Sequence, residues 1–537
     1  MRKARQRVFA ILQQTATASV RQIAHLTGLP RSSVHRYKTG IVKRDQYPES
    51  HLWERPEGYA WLCLLVYATI FVFGIMRGVG AETLSLFFRL LHLQLWMAVS
   101  PTAIREVRRR MEGQILAYQR EQEQAIQQES TGLREVCLAA DETVFQDVVL
   151  LLMDISSGYI FVEASAPDRT FATWHNRAQA VVQAFGLKVR YLVSDRARAL
   201  IKLAGDGLAC ASIPDLFHTM REITILLGGR LHRRLQRVQK QLATSAATFA
   251  TLVQVETTSP KIAALSQEIE ALTQERTHLR VGIQIVPMLL HRISCLVHPF
   301  RVGSPTQPAT SPQVLEGLHE MAQAFRDLIA DYGIADSRHR LDRFTRQSQE
   351  LAPLIDLWWQ WVEEELGAAS LEEAHCDWLR RLVLPAVYWH GLAKKTTPPF
   401  LQTMYQRAAD TTLAAVHQHP LTLQLPSTDV AAWQEWATWM AAKFQRASSV
   451  VEGRNGYLAQ VHHTGRGIPT SRLNALTVIH NFGLTRPDGT TAAQRCFGRP
   501  FPDLFHWLVT HMGDLPLPRS AKIAPTPQRL NLLPVPP

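Results

Sequence analysis

The sequence predicts an α/β core that is split by an all-α insertion and preceded by helical modules. Three observations carry that prediction. Short β-rich runs and helical runs alternate between residues 134 and 224. Helix-periodic sequence then extends from 225 to 440. Two apolar runs, EVCLAAD and VRYLVSD, each end in an aspartate, Asp141 and Asp195, while Glu452 lies far downstream in the helix-like run RASSVVEGRNGYL. Two carboxylates from strand ends and one from a helix can converge on a pair of divalent metal ions, which suits phosphodiester chemistry on nucleic acid.

The bulk numbers agree with that assignment. A chain of 537 residues predicts several domains, and 46% hydrophobic with 19% charged residues is globular composition. A formal charge of +12 favours a polyanionic partner, nucleic acid before a membrane surface. The six cysteines form no C-x-x-C pair, which argues against zinc knuckles and for buried thiols in a reducing cytosol. The first residues, MRKARQRVFAILQQ, lack the order of a signal peptide.

Along the chain, residues 1–45 predict a helix-turn-helix DNA-binding domain. Val8, Ile11 and Leu12 share one helical face, Ser19 caps VRQIAHL, Gly28 makes the turn, and RSSVHRYK is the recognition helix. Val34 would face the core, leaving Arg31, Ser32, Ser33, Arg36 and Lys38 for a groove or the phosphates. Residues 41–56 are polar and carry Pro48 and Pro56, as a linker does. Residues 57–128 form a second helical module with a possible DNA-binding role. Ser100-Pro101 starts a long helix there, and Arg105, Arg108, Arg109 and Arg110 make it basic. Tyr59–Met76 is uncharged and as long as a membrane span. A span would place the two DNA-directed parts on opposite sides of a bilayer, so the expectation is a buried helix covered by ETLSLFFRLLHLQL.

Residues 134–224 give the order β-β-β-α-β-α-β-α, that of an RNase H-like core, in which the first and fourth strands lie adjacent at the centre. Such strands would bring Asp141 and Asp195 together across a separation of 195 − 141 = 54 residues. Residues 225–440 are the insertion. A coiled-coil hairpin is expected from Leu231, Leu235, Val238 and Leu242 on one arm and Ile262, Leu265, Ile269, Leu272 and Leu279 on the other. GSPTQPATSP (303–312) predicts a loop or hinge, and the Trp-rich helices predict core. Residues 441–512 resume the α/β core with Glu452, and 513–537 form a Pro-rich tail. PDLFH occurs at 214–218 and 502–506, each time with an aspartate placed to cap a helix.

Asp141, Asp195 and Glu452 are the candidate catalytic residues and ligands for two Mg²⁺ or Mn²⁺ ions, because hard cations prefer oxygen. Asp154 is expected as a turn acid, and His218, one helical turn after Asp215, as a structural hydrogen-bond partner ahead of a group near the metal site or phosphate. Arg454 and Asn455 lie within one turn of Glu452, placed to contact the DNA backbone or to orient the carboxylate, and Arg466, Arg472 and Arg486 are candidates for phosphate contact.

AADETVFQ, LVSDRARALI, PDLFH and the run from SSVVEGRNGYLAQVHHTGRG through IPTSRLNALTVIHNFGLTRPDGTTAAQRCFG together resemble a DDE transposase of bacterial insertion sequences, of the group with a large helical insertion between the second Asp and the Glu. The resemblance covers most of residues 10–510 and implies metal ligation by Asp141, Asp195 and Glu452. It also implies Mg²⁺-dependent cleavage at transposon ends followed by strand transfer. The implied partners are terminal inverted repeats, target DNA and a second copy of the chain, in a cytoplasmic, nucleoid-associated setting with no membrane. Two rivals remain: a catalytically inactive, domesticated DNA-binding regulator, and a membrane-anchored coiled-coil protein using Tyr59–Met76.

Overall fold

Residues 2–44, 56–129, 132–255 and 260–518 are described by the computed structural model. The chain divides into two units, Met1–Glu129 with Gly456–Pro537, and Ser130–Asn455. Helices dominate both, and the second contains a mixed five-stranded sheet.

The first unit opens with helices Arg2–Gln14, Val20–Thr27 and Arg31–Arg44. Ser19 and Gln22 form a reciprocal cap, with Gln22 N donating to Ser19 Oγ at 3.2 Å and Ser19 N to Gln22 Oε1 at 2.8 Å. Gly28 ends the second helix at φ 68°, where a side chain would be strained. Val8, Phe9, Ile23, Val34 and Ile41 close a small core. The third helix runs to Arg44, so part of the expected linker is helical; 45–55 lie outside the described residues.

The long helix Pro101–Glu129 organises the rest of this unit. Ser100 Oγ accepts from Ala103 N at 3.2 Å, as its sequence predicts. Ile104, Val107, Met111, Ile115 and Tyr118 are buried along one face, and helices Thr470–Val478 and Leu504–His511 pack there. Tyr118 donates to the Pro502 carbonyl at 2.6 Å. This corrects the expectation that 441–512 form one half of the α/β core: from Gly456 onward the chain belongs with the N-terminal helices, because its apolar faces are matched by helix Pro101–Glu129. The start of the expected tail is also packed. Leu515 is buried and Ala98 N donates to Pro516 O at 2.7 Å; residues 519–537 are outside the described set.

Tyr59–Met76 falls in helix Pro56–Thr69 and its wider, π-helical continuation Ile70–Met76. Leu62, Val66, Ile70 and Ile75 are buried, whereas Trp61, Leu64, Val72 and Phe73 are exposed. Burial therefore covers one face and not the whole helix. By length and composition, this helix and Pro260–Leu296 could each cross a membrane.

The second unit is built on strands β1 (Arg134–Val144), β2 (Val148–Asp154), β3 (Ile160–Ala166), β4 (Leu187–Ser194) and β5 (Ala211–Pro214), in the order β3-β2-β1-β4-β5. β1–β2 and β2–β3 are antiparallel; β1–β4 and β4–β5 are parallel. The crossover helix Phe171–Phe185 links β3 to β4. Side chains alternate between faces. Cys137, Ala139, Leu151, Met153, Tyr191 and Val193 form one buried face that shares its core with the insertion.

That insertion leaves through helix Leu216–Ile223, which runs on into Gly229–Val255 and returns as Pro260–Leu296. Leu231, Val238, Leu279 and Val286 are buried between these arms and their neighbours, while Val253 and Val255 nearer the tip are exposed. The expected hinge at 303–312 instead contributes a two-stranded ribbon, β6 (Phe300–Arg301) with β7 (Ser304–Pro308), and the start of helix Ser311–Asp331. Trp358, Trp361, Trp378 and Trp389 are all fully buried core residues.

The chain re-enters the sheet between Lys443 and Ser448. Tyr191 OH donates to Lys443 O at 2.5 Å and accepts from Gln445 N at 2.9 Å, and Leu216 N donates to Arg446 O at 3.0 Å. Helix Ser449–Gly465 follows. Its Arg454 makes a bidentate ion pair with Glu163 of β3, at 2.7 and 2.6 Å, with side-chain exposures of 3% and 0%. Removing one partner of such a pair strands a buried charge, so Arg454→Ala and Glu163→Ala should each destabilise this unit by about 3–5 kcal/mol. Urea unfolding of the full chain checks this. A loss of a few tenths of a kcal/mol, as at an exposed pair, contradicts the assignment.

Candidate active site and DNA-binding module

The register of β1 on β4 decides where the two aspartates lie. After a one-residue shift at Val136/Cys137, Cys137 pairs with Tyr191 and Ala139 with Val193, an offset of 193 − 139 = 54. Asp141 and Asp195 share that offset, 195 − 141 = 54, two residues beyond the last pair, on the central strand β1 and just past its parallel neighbour β4. Asp141 is not at the strand tip, since β1 continues to Val144; Asp195 directly follows β4 and is exposed. The next residue, Arg196, has φ 72°, a left-handed turn held by Arg196 Nη1 donating to Ser212 Oγ at 2.6 Å and by a 2.8 Å ion pair to Glu350.

Asp141 Oδ1 accepts from Glu142 N at 2.9 Å, and Oδ2 accepts from Asn455 Nδ2 at 2.8 Å. Burial, opposed by the Glu142 amide and reinforced by the Asp195 and Glu142 charges, pushes the Asp141 carboxyl up to about 6. Among the described residues, neither Asp141 nor Asp195 is ion-paired to a lysine or arginine. Glu142 turns aside to Arg169 at 3.1 Å.

Glu452 sits in the first turn of helix Ser449–Gly465 with its side chain 33% exposed, and its Oε1 lies 3.3 Å from His218 Nε2. His218 Nδ1 is 3.1 Å from Asp215 Oδ2. Asp215 is buried and caps helix Leu216–Ile223: Oδ1 accepts from Phe217 N at 2.7 Å and His218 N at 3.4 Å, while Oδ2 accepts from Ser448 N at 3.1 Å and from the Ser448 hydroxyl. Burial pushes Asp215 up, but the His218 and Ser448 hydrogen bonds outweigh it and hold the carboxyl below its usual range. The Asp215 hydrogen bond is the main cause raising the His218 ring above its ordinary value.

Among the described residues, Asp215, His218 and Glu452 form a group whose ligand atoms all lie within 4.8 Å of one another. It is not the expected set, and its chemistry is that of a hydrogen-bond chain, because the Asp215 oxygens are already occupied by the donors just named. The Asp141 carboxylate is close enough to act on the His218 ring. Sequence reasoning left Asp215 at helix capping and weighed His218 as a structural bond ahead of a place near the metal site. Their link to Glu452 depends on the return of the chain at Ser448, for which the PDLFH motif carries no signal.

Other candidates move. Asp154 ties the β2–β3 turn, accepting from Cys137 N at 3.1 Å and Ser157 N at 2.9 Å, as a turn acid should. Arg454 is turned inward onto Glu163, which removes it from DNA contact. Arg472 is buried beside Glu112, 3.7 Å away, in the first unit, and burial lowers its pKa; it too is withdrawn from phosphate. Arg466 is exposed in the first unit at φ 54°, just past the end of helix Ser449–Gly465. In the helix-turn-helix, Arg31, Ser32 and Arg36 are exposed and Ser33 is half-buried. Lys38 is corrected from phosphate contact to a structural tie, since its ammonium donates to Ala18 O at 2.6 Å.

Two predictions follow from these placements. Arg31→Ala and Arg36→Ala should each weaken DNA binding by about 1–3 kcal/mol if they reach base edges. Lys38→Ala should instead lower the stability of the helix-turn-helix by about 1–2 kcal/mol and leave the salt dependence of binding unchanged. Gel shifts across a salt series, with thermal unfolding, separate the two effects. The second concerns pH. A carboxyl with a raised folded pKa binds more protons folded than unfolded, so its contribution to stability falls as pH rises from the unfolded pKa, about 4, to about 6. In chelator, Asp141→Asn should therefore gain on the order of 1–3 kcal/mol over wild type at pH 8, and that gain should vanish near pH 4. A pH-independent difference would contradict the buried, charge-crowded setting of Asp141.

Comparison with known families bears on both regions. The IclR helix-turn-helix domain matches residues 7–44, which supports DNA as a partner. A family of unknown function, DUF6399, matches residues 379–524. That span takes in Lys443, Ser448 and Glu452 but begins downstream of Asp141 and Asp195. No curated protein matches the chain.

Proposed function

We propose that the protein is a DDE-type DNA transposase with an RNase H-like core. One observation carries the reading: Asp141 lies within β1 and Asp195 just past the end of the adjacent parallel strand β4, at the centre of a β3-β2-β1-β4-β5 sheet, and the helix bearing Glu452 reaches Asp141 through Asn455. The helix-turn-helix supplies the DNA-binding function that such an enzyme needs.

The donor set suits a hard divalent cation. Among the described residues, the Asp195 charge acts on Asp141, neither aspartate is ion-paired to a lysine or arginine, and the buried Asn455 Oδ1 has no hydrogen-bond partner. Asp141, Asp195 and Glu452 would hold Mg²⁺ or Mn²⁺, two ions, whose chemistry is to activate water or a 3′-hydroxyl and stabilise the leaving oxygen. The chain's own part is positional. The strands set the spacing of the aspartates, Asn455 fixes the Asp141 carboxylate, and Arg454 with Glu163 anchors the helix that delivers Glu452. End recognition falls to Arg31, Ser32, Ser33 and Arg36, and work on two transposon ends calls for at least two copies of the chain.

Asp141→Asn, Asp195→Asn and Glu452→Gln should each reduce end cleavage by about a thousandfold or more while sparing DNA binding, because an amide keeps the shape and loses the charge. Cleavage of labelled terminal-repeat DNA, taken from the sequence flanking the gene, is the measurement. Near-normal cleavage by a variant removes that residue from the site. If wild-type protein binds this DNA without cutting it, the domesticated regulator becomes the better reading.

A further inference from the structure

His218 stands in the acidic site yet has no part in the proposed ligand set. We propose that Asp215 and His218 form a positioning pair for Glu452, in which the buried carboxylate fixes the ring and the ring fixes the glutamate. The inference rests on the reading of Glu452 as part of the cleavage site and adds residues to it.

Asp215 is the anchor of the pair. Its oxygens receive Phe217 N, the backbone and ring nitrogens of His218, and both donors of Ser448. A carboxylate so occupied, and 1% exposed, offers no accessible lone pair to a cation. Its effect is transmitted along two routes that end at the same residue. The first is the backbone: Ser448 immediately precedes helix Ser449–Gly465, and Glu452 N donates to Ser448 O at 3.2 Å. The second is the imidazole, held at Nδ1 by Asp215 and meeting Glu452 Oε1 at Nε2, 3.3 Å away. Carboxylate oxygens face both ring nitrogens, so a ring that satisfies both donates from both. A ligand oriented by a partner that is itself oriented is the general plan of metal sites, and loss of such a partner typically costs about 10–100-fold in metal affinity or activity.

The test uses the full-length protein and His218→Ala, His218→Asn and His218→Gln. The asparagine amide reaches only towards Asp215, whereas the longer glutamine amide can reach Glu452. Mn²⁺ affinity, read by calorimetry without DNA, and kcat and KM for end cleavage are measured with the thermal midpoint and DNA binding. The alanine and asparagine variants should lose about 10–100-fold in Mn²⁺ affinity and in kcat, with KM and DNA binding unchanged. The glutamine variant should recover most of both. A purely structural histidine would move the thermal midpoint and leave the asparagine and glutamine variants alike. Wild-type Mn²⁺ affinity and kcat in the folded alanine variant overturn the proposal; if that variant does not fold, equal values in the asparagine and glutamine variants do so. Glu452→Gln is the reference. If it loses Mn²⁺ affinity and the His218 variants keep theirs, only the positioning pair fails. If neither wild type nor Glu452→Gln binds Mn²⁺, the cleavage-site reading fails and the pair with it.

Discussion

The Asp215 carboxylate is where the second unit closes on itself. The chain leaves the sheet after β5, makes an excursion of more than two hundred residues, and returns at Ser448 to the carboxylate it left at Asp215. A loop that long adds little closure entropy per residue, but its ends still have to be held in register. Hydrogen bonds from Ser448 to a fully buried carboxylate do that directionally, where apolar packing alone would permit sliding. Neighbouring contacts of Tyr191 with Lys443 and Gln445 hold the same returning segment against β4. The helical insertion is thereby an elaborate connection between two fixed points of one sheet.

Further along the returning helix, the Arg454–Glu163 pair adds a second constraint of a different kind. Burying both charges is costly, and apolar residues of equal volume often pack as well or better. What the bidentate geometry supplies is orientation: the guanidinium plane meets the carboxylate in one way. With Arg454 fixed, the next residue, Asn455, reaches Asp141, and Glu452 is presented on the preceding turn. Stability and site geometry thus depend on the same few side chains.

Like charges gathered around one strand oppose folding. Burial raises the cost of ionising Asp141, and the Asp195 and Glu142 charges add to it. Hydrogen bonds from Glu142 N and Asn455, together with the charge of the nearby His218, offset part of that cost. Such crowding is common at functional sites, where a group tuned for chemistry is a liability to the fold.

Much of this was legible in the sequence, because it rests on local rules. Alternation and β-branching marked the strands, Ser19 and Gly28 marked the helix-turn-helix, and the 54-residue separation placed Asp141 and Asp195 on adjacent strands once the first and fourth were paired. Both PDLFH motifs cap helices, as Asp215 and Asp503 show. The rest depends on residues far apart in the chain. The same five residues leave His506 exposed in one copy and place His218 between two carboxylates in the other. Arg454, Arg472 and Lys38 look like phosphate ligands in sequence, yet each is occupied by an acidic or carbonyl oxygen. Composition and periodicity state what a side chain can do; only tertiary packing decides which partner reaches it first, because burial makes an internal hydrogen bond obligatory where water would otherwise serve.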